Sequence, residues 1–159
     1  EKGKTAPAVP EAVKSYLADT SSFAPEWSGN FLRMLPQPVQ DVYPLLREHL
    51  RILSAGICMG EAKGKDFIPA EELALSTVLR PDAFPVADLD WDDAIRYLKK
   101  EALLLPAGTE KGYALVRYKK FPLGFAKHLG NRANNLYPQE WRIRTGYMPE
   151  RVKTFDMTV

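Results

Sequence analysis

Residues 112–129 read GYALVRYKKFPLGFAKHL, and this stretch decides the fold. Apolar and polar residues broadly alternate from Tyr113 to Tyr118, which is the pattern of a β-strand with one buried face. The lysines that follow, Lys119 and Lys120, predict a turn into a second strand, which Gly124 interrupts. The stretch therefore predicts a β-hairpin.

A helix is predicted upstream of the hairpin, over residues 91–100. Asp90 is placed to cap its first turn, where negative charge also suits the helix dipole. One helical face carries the apolar residues Trp91, Ala94, Ile95 and Leu98. The sequence therefore predicts an amphipathic helix with one apolar face.

Working outward, shorter elements are predicted along the rest of the chain. They are helices over 10–17, over 39–50 with a break at Pro44, and after Pro69; strands over 30–35, within 51–63 and over 141–144; a loop over 19–29; and a loop or short helical turn over 130–137. Short strands with brief helices between them predict an α+β fold, a small mixed sheet or open barrel. The domain organisation predicted is a linker and N-terminal extension over 1–29, a first α+β module over 30–79, a second over 85–145 and a tail over 146–159.

Composition and charge narrow the class of protein. The chain has 159 residues, 45% of them hydrophobic and 26% charged, as is typical of a globular protein. It shows neither a signal peptide nor an apolar run long enough to cross a membrane, so we expect a cytoplasmic protein without membrane partners. Between residues 111 and 153, ten lysines and arginines face only Glu140 and Glu150. This imbalance favours a positive face that attracts polyanions, with an unevenly charged solvated surface as the alternative.

Residues able to carry chemistry are sparse. Cys58, the one cysteine, lies in the most apolar predicted strand and is interpreted as an inert core thiol. His49 and His128 are far apart and lack metal-ligand spacing. No phosphate-binding glycine loop or nucleophile motif occurs, so we expect no cofactor and no catalysis by this chain itself.

The segment 121–144, FPLGFAKHLGNRANNLYPQEWRIR, interleaves basic and aromatic residues. Cations bind phosphates, and planar rings stack on unpaired bases. The residues concerned are Lys127, Arg132, Arg142 and Arg144 with Phe121, Phe125, Tyr137 and Trp141. The alternative is that the rings are core and the asparagines form turns, and the residues alone leave both interpretations open.

The same segment resembles the end motif of RsmF-type ribosomal RNA methyltransferases of the Sun family, which lies in their PUA-like RNA-binding domain. That motif reads roughly P-L-G-W/F-x-K-x-x-G-x-R-x-K-N-x-Y-P-K-x-x-R, and it is matched here from Pro122 to Arg142. The resemblance extends over 30–143, where 30–79 is similar to a preceding C-terminal module. Two lysines of the motif are replaced, by Asn134 and Gln139, which puts two phosphate contacts in doubt.

The resemblance implies the RNA-binding C-terminal region of a bacterial RNA (cytosine-C5) methyltransferase. The catalytic domain, which would bind S-adenosylmethionine, is not part of this chain, and its partners would be RNA, ribosomal in kind, and that domain. Under this interpretation the phosphate contacts are Lys119, Lys120, Lys127, Arg132, Arg142 and Arg144, the stacking rings are Tyr137 and Trp141, and Asn135 makes a polar contact. The alternatives are a protein-docking module and, least favoured, a small hydrolase that uses His128 and a carboxylate.

Overall fold

The structure, a computed structural model, describes residues 8–147. Its elements are short and follow the order α1 (Glu11–Lys14), β1 (Phe23–Ser28), β2 (Phe31–Pro36), α2 (Gln37–Gln40), α3 (Tyr43–His49), β3 (Ile57–Lys63), β4 (Asp66–Pro69), α4 (Glu71–Ala74), β5 (Val86–Leu89), α5 (Trp91–Leu98), β6 (Gly112–Tyr118), β7 (Phe121–His128), β8 (Ala133–Asn135) and a 3₁₀ helix (Gln139–Trp141). None of these helices is long and apolar enough to span a bilayer.

The predicted hairpin is confirmed as the centre of the second of two four-stranded sheets, with strand order β5-β6-β7-β8. Its turn is made by Lys119 and Lys120, both with positive φ (47° and 69°), the backbone that a two-residue hairpin connection requires. The predicted helix is confirmed as α5. Its predicted N-cap is confirmed as well, because the Asp90 side chain accepts a hydrogen bond from the backbone N–H of Asp93 (2.9 Å). Strand β5 pairs in parallel with β6, while the other pairs are antiparallel.

The first sheet is antiparallel throughout, with order β1-β2-β3-β4. The prediction of a loop over 19–29 is wrong, because β1 pairs along its whole length with β2. The predicted helix over 39–50 is divided as expected, but the break lies at Asp41 and Val42, and Pro44 stands in the first turn of α3. Proline is well accommodated there, since no intrahelical N–H bond is lost.

Two further predictions fail near the C-terminus. The predicted loop over 130–137 contains β8, which pairs with β7, and the strand predicted over 141–144 is absent: a 3₁₀ turn ends at Trp141, followed by irregular chain. The predicted tail over 146–159 lies mostly outside the described residues. The α+β class is confirmed, as two open sheets with short helices; within 8–147 they do not close into a barrel.

Both sheets contribute to one hydrophobic core. Leu32, Met34 and Met59 of the first sheet pack in the same cluster as Leu115 and Phe125 of the second. A second, smaller cluster lies between α5 and the β6–β8 sheet and includes the fully buried Tyr97. The domain boundaries given above remain predictions, but the two sheets share buried contacts.

The two sheets approach each other closely at Gly124 in β7. A Cβ at this position would overlap both carboxyl oxygens of Glu71, from α4, and the hydroxyl of Tyr97, from α5. The Tyr97 hydroxyl donates to the carbonyl of Phe125 (2.9 Å). Gly124 also has φ +150°, a backbone conformation that residues with a side chain rarely adopt. Glycine is therefore required here both by the lack of space and by the backbone conformation. Gly124 is therefore buried under Glu71 and Tyr97 and is closed to any ligand.

The Glu71 carboxyl group is the polar centre of this contact. It is 9% exposed, and its Oε1 atom has no hydrogen-bond partner among the described residues. Burial raises the pKa of Glu71 to about 8, although Phe125 and Lys100 favour the charged form. Glu71 is therefore largely protonated at neutral pH. The neutral carboxyl group costs less free energy to bury than the charged carboxylate.

We predict that Gly124→Ala lowers the free energy of unfolding by about 2–5 kcal/mol, because it adds steric overlap to an unfavourable φ. Gly108→Ala is the matched control: its φ is also positive (88°), but nothing lies within 4 Å of an added Cβ. We expect it to cost only the backbone term, about 1–2 kcal/mol. Urea unfolding measures both variants, and equal losses would contradict the close contact.

We predict a pH-dependent effect of Glu71→Gln. Folding raises the pKa of Glu71 from 4.5 to about 8. The free energy of unfolding of the wild-type chain therefore falls as the pH rises between these two pKa values, and it levels off above about pH 8. The amide cannot ionise, so the variant should be more stable than wild type at pH 9, by on the order of a few kcal/mol, and close to it at pH 5. Urea unfolding at both pH values tests this; a constant difference between them would contradict it.

Candidate nucleic-acid interface

Three of the six predicted cations, Arg132, Arg142 and Arg144, lie along one line of contact beside the second sheet. The segment 98–103, which leaves α5, runs antiparallel to the segment 133–143, and we call this contact the seam. Three hydrogen bonds define it: Ile143 N to Leu98 O (2.9 Å), Asn135 Nδ2 to Glu101 O (3.1 Å) and Ala133 N to Leu103 O (3.2 Å). The ends of the seam are about five residues apart along the segment 98–103, so the seam is at most about 17 Å long.

Basic side chains occupy both ends of the seam. Arg142 and Arg144 line a shallow depression of about 340 Å³ at one end, together with Lys99 and one acidic residue, Glu101. Arg132 directly precedes β8 at the other end. None of these four basic groups forms an ion pair with a carboxylate of residues 8–147, and the arginines are exposed. Lys99 is a site residue that the sequence did not single out, since the helix dipole alone accounts for a lysine at the end of a helix.

Lys111 is a second cation that sequence reasoning missed. Its side chain lies over Gly130, where an added Cβ would be 2.8 Å from the Lys111 Cε atom. This places Lys111 beside Arg132, in the turn between β7 and β8. No carboxylate in the described part of the chain pairs with it. The only sequence signal for Lys111 was its place at the start of the basic stretch.

Lys119 and Lys120 lie at the opposite end of the hairpin from Arg132. Much of the length of β7 separates the two ends, which corresponds to about 20 Å. Lys120 is exposed, and the Lys119 ammonium lies over the Tyr118 ring (5.9 Å to the centroid). The structure therefore does not bring these lysines together with Arg132, and a ligand that touches both must follow the length of the sheet.

Lys127 is engaged within the protein. Its ammonium group forms an ion pair with Asp66, from the first sheet, and lies 4.8 Å from the centre of the Tyr113 ring. Tyr113 also donates a hydrogen bond to Asp66 (2.9 Å). The hydrogen bond from Lys127 holds the pKa of Asp66 below its usual value, so the pair is charged at neutral pH. Lys127 thus joins the two sheets, and its charge is largely neutralised.

Asn135 and Tyr137 have structural partners that account for them. Both Asn135 Nδ2 bonds go to backbone carbonyls, of Tyr97 (2.8 Å) and Glu101 (3.1 Å), while its Oδ1 accepts from the N–H of Tyr137 (3.0 Å). The Tyr137 ring is half-buried, with the edges of Tyr97 and Trp141 against it. Trp141 is 52% exposed. Of the two predicted stacking rings, Trp141 is the more accessible.

Residues considered for catalysis have ordinary surroundings. Cys58 is 6% exposed, and burial raises the pKa of its thiol, as expected of a core cysteine. The ring nitrogens of His128 contact the backbone carbonyls of Glu110 (3.1 Å) and Gly130 (3.2 Å). The hydrolase hypothesis required a carboxylate beside His128, and no hydrogen bond of this kind is present within the described chain.

Comparison with known proteins gives a consistent match. Residues 84–143 match the family model described as the methyltransferase RsmF PUA domain. The chain is 34% identical over 110 residues to the ribosomal RNA small subunit methyltransferase F of Shewanella pealeana, and 32% identical over 101 residues to the protein of that name from Shewanella loihica. These alignments cover 67% and 63% of this chain. They cover 20% of each relative, so the chain spans about a fifth of their length.

We predict that Asn135→Ala destabilises the fold by about 1–3 kcal/mol, because the substitution leaves two carbonyls and one N–H without their partner. Asn134→Ala is the control, since Asn134 is exposed on the same strand and should change stability by less than about 0.5 kcal/mol. Thermal or urea unfolding of both variants checks this. If the two substitutions cost the same, Asn135 does not hold the seam.

Proposed function

We propose, from the match of residues 84–143 to the RsmF PUA domain, that this chain binds RNA and acts as the RNA-binding region of a ribosomal RNA (cytosine-C5) methyltransferase. In this role it holds the substrate RNA in place for a catalytic domain that lies outside the chain. The relatives are named as methyltransferases of small-subunit ribosomal RNA, which supports RNA of that kind as the substrate class. A cytoplasmic location, where ribosomes are assembled, is part of the same proposal.

The observation that carries the proposal is the charge along the seam. Four basic residues in or next to it make no ion pair with the carboxylates of residues 8–147: Lys99, Arg132, Arg142 and, one position beyond the matched segment, Arg144. Lys100, also in the seam, donates instead to the carbonyl of Tyr137. Cations without internal partners are the groups that replace the counterions of a phosphate backbone. Trp141, half exposed beside Arg142, adds a ring on which an unpaired base stacks.

The binding would orient RNA more than read its sequence. Arginine binds phosphate oxygens through two parallel N–H bonds, which fixes direction as well as distance. A seam with cations at both ends would therefore hold a strand at two or more phosphates. A strand held in this way presents its target base to the catalytic domain in one register, which is how a binding region raises the rate of a reaction it does not perform.

We assign S-adenosylmethionine to the catalytic domain and not to this chain. Nucleotide-type cofactors bind at the carboxyl edge of a doubly wound parallel sheet, beside a glycine-rich turn that opens a helix. Parallel pairing in the described residues is confined to β5 and β6, and the sequence after β5 is DWDD, an acidic helix start without glycine. These residues do not fit the cofactor, and none of them is given a step in methyl transfer.

A second candidate, docking of the catalytic domain, is favoured by the surface of α3. Four apolar side chains in or next to this helix are markedly exposed: Val42 (48%), Leu45 (57%), Leu46 (37%) and Leu50 (60%). They recur at helical spacing and form an apolar face with no cover from residues 8–147. Such a face favours a protein partner, and it lies in the first sheet's region, away from the seam. The two roles are compatible.

We predict that Arg142→Glu with Arg144→Glu weakens binding of a single-stranded RNA oligonucleotide by about tenfold or more at low salt. The slope of log Kd against log salt should also fall, by about one unit for each phosphate that the variant no longer binds. The control of equal charge change is Arg47→Glu with Arg51→Glu, on and beside α3. Because this variant also breaks the ion pair of Arg47 with Glu26, circular dichroism melting checks that it is folded. A mobility-shift titration over about 50–200 mM salt measures both variants.

Three results of this titration are distinguishable. A weakening confined to the seam variant supports the proposal. Equal weakening in both variants would mean that net charge alone attracts RNA. Binding by neither variant nor wild type at low salt would remove the proposed function and leave docking through α3, whose apolar contacts respond little to salt.

A further inference from the structure

A cavity at the junction of the two sheets has the features of a nucleotide site. It measures about 340 Å³, near the lower end of the range for ligand sites in proteins. Three elements form it: α1, the turn between β3 and β4, and the start of β6. Its lining includes the half-buried rings of Tyr16, Phe67 and Tyr113, with Val13 behind them and Lys65 and Asp66 at the side.

We propose that this junction cavity binds one unpaired nucleotide of an RNA strand, with the base among the rings and the adjacent phosphate on Lys65. The proposal rests on the proposed RNA-binding function and adds a site outside the matched segment, since Tyr16, Lys65 and Phe67 precede residue 84. Aromatic rings accept any base by stacking, while a flexible lysine binds phosphate as a point charge.

The carboxylate of Asp66, at the polar edge of the cavity, is held in place by its neighbours. Asp66 accepts hydrogen bonds from Phe67 N (3.0 Å) and from the Tyr113 hydroxyl (2.9 Å), and it is paired with Lys127. The carboxylate therefore has a compensating positive charge beside it and does not repel a phosphate as an isolated acid would. Lys63 and Lys65, on either side of Gly64, are both exposed and form no ion pair with carboxylates of residues 8–147.

The cavity also continues the line of cations from the seam. Tyr113 pairs across the hairpin with Lys127, and Gly112 with His128, so the cavity adjoins the end of β7. Lys111 lies over Gly130 at that same end, and Arg132 follows two residues later. A strand laid along the seam towards Arg132 thus meets Lys111 next and then the junction.

The two larger cavities suit a nucleotide less well. The one of about 750 Å³ is lined by the carboxylates of Glu26, Asp41 and Glu48, which repel phosphate. The one of about 570 Å³ contains Arg33 and Arg47, but both are already paired, with Glu72 and Glu26. The junction cavity combines rings with a cation that has no carboxylate partner in the described chain.

The test uses Phe67→Leu and Lys65→Glu in the full chain. Leucine keeps much of the apolar volume of Phe67 but removes the ring; Phe31→Leu, at a half-exposed position on β2, is its control, and Arg51→Glu is the control for Lys65→Glu. Circular dichroism melting confirms that each variant is folded. We expect each junction variant to weaken binding of a single-stranded RNA oligonucleotide about fivefold or more, and each control to leave binding within about twofold.

A second arm locates the contact and the source of the nucleotide. An oligonucleotide carrying one 4-thiouridine should cross-link on irradiation to peptides that contain Tyr16, Phe67 or Tyr113, and an excess of free uridine monophosphate should not compete. Wild-type affinity in both junction variants, while the seam variant is weakened, overturns the junction site and leaves the proposed function intact. Equal competition by the free nucleotide overturns the strand-bound site, and absence of any RNA binding removes both proposals together.

Discussion

The contact of Glu71 and Tyr97 on Gly124 is the constraint on which the rest of the structure depends. Two four-stranded sheets, each open and small, would have little core of their own. At Gly124 the chain lets α4, from the first sheet's region, and α5, from the second, reach the same strand. Phe125, the next residue, is fully buried in the cluster that both sheets share. A glycine that admits two side chains thus fixes the relative position of the sheets.

The relative position of the two sheets also brings residues of the first sheet close to strand β7. Lys127 is two residues beyond Phe125 on the same strand, and its ion pair with Asp66 reaches across to the β3–β4 turn. The ion pair therefore brings the β3–β4 turn, with its exposed Lys63 and Lys65, against the end of β7, although the two come from distant parts of the chain. On the proposed function taken together with the junction site, a strand of RNA is held by phosphates over both sheets. The exposed apolar face of α3 lies apart and remains available to a protein.

Much of the local structure could be predicted from the sequence, because its signals are local. The cap at Asp90 and the apolar stripe of α5 lie within one helix, and the turn lysines lie between two alternating strands. Strand β1 was missed because FAPEWS contains a proline and polar residues, and its pairing with β2 supplies the stability that its own sequence does not. Strands β5 and β8 are short, and they form only because β6 and β7 are already there.

The site was harder to predict, for a related reason. Arg132, Arg142 and Arg144 were identified by residue type and motif, and the structure leaves them without carboxylate partners among the described residues. Lys127 looked equivalent to them, but its partner Asp66 is 61 positions earlier, and no local pattern indicates such a pair. Lys99 and Lys111 have no sequence pattern that indicates a binding site. The seam places Lys99 near Arg142 and Arg144, and the β7–β8 turn places Lys111 near Arg132.

Nuclear magnetic resonance shows directly whether the seam and the β3–β4 turn bind the same RNA strand. An unlabelled single-stranded RNA is titrated into the isotope-labelled chain at low salt, and the shifts of the backbone amides are followed. We expect graded shifts in residues 98–103 and 130–144 and in the 63–67 turn, with α3 unchanged. Shifts confined to α3, or to the seam alone without the 63–67 turn, would contradict this expectation.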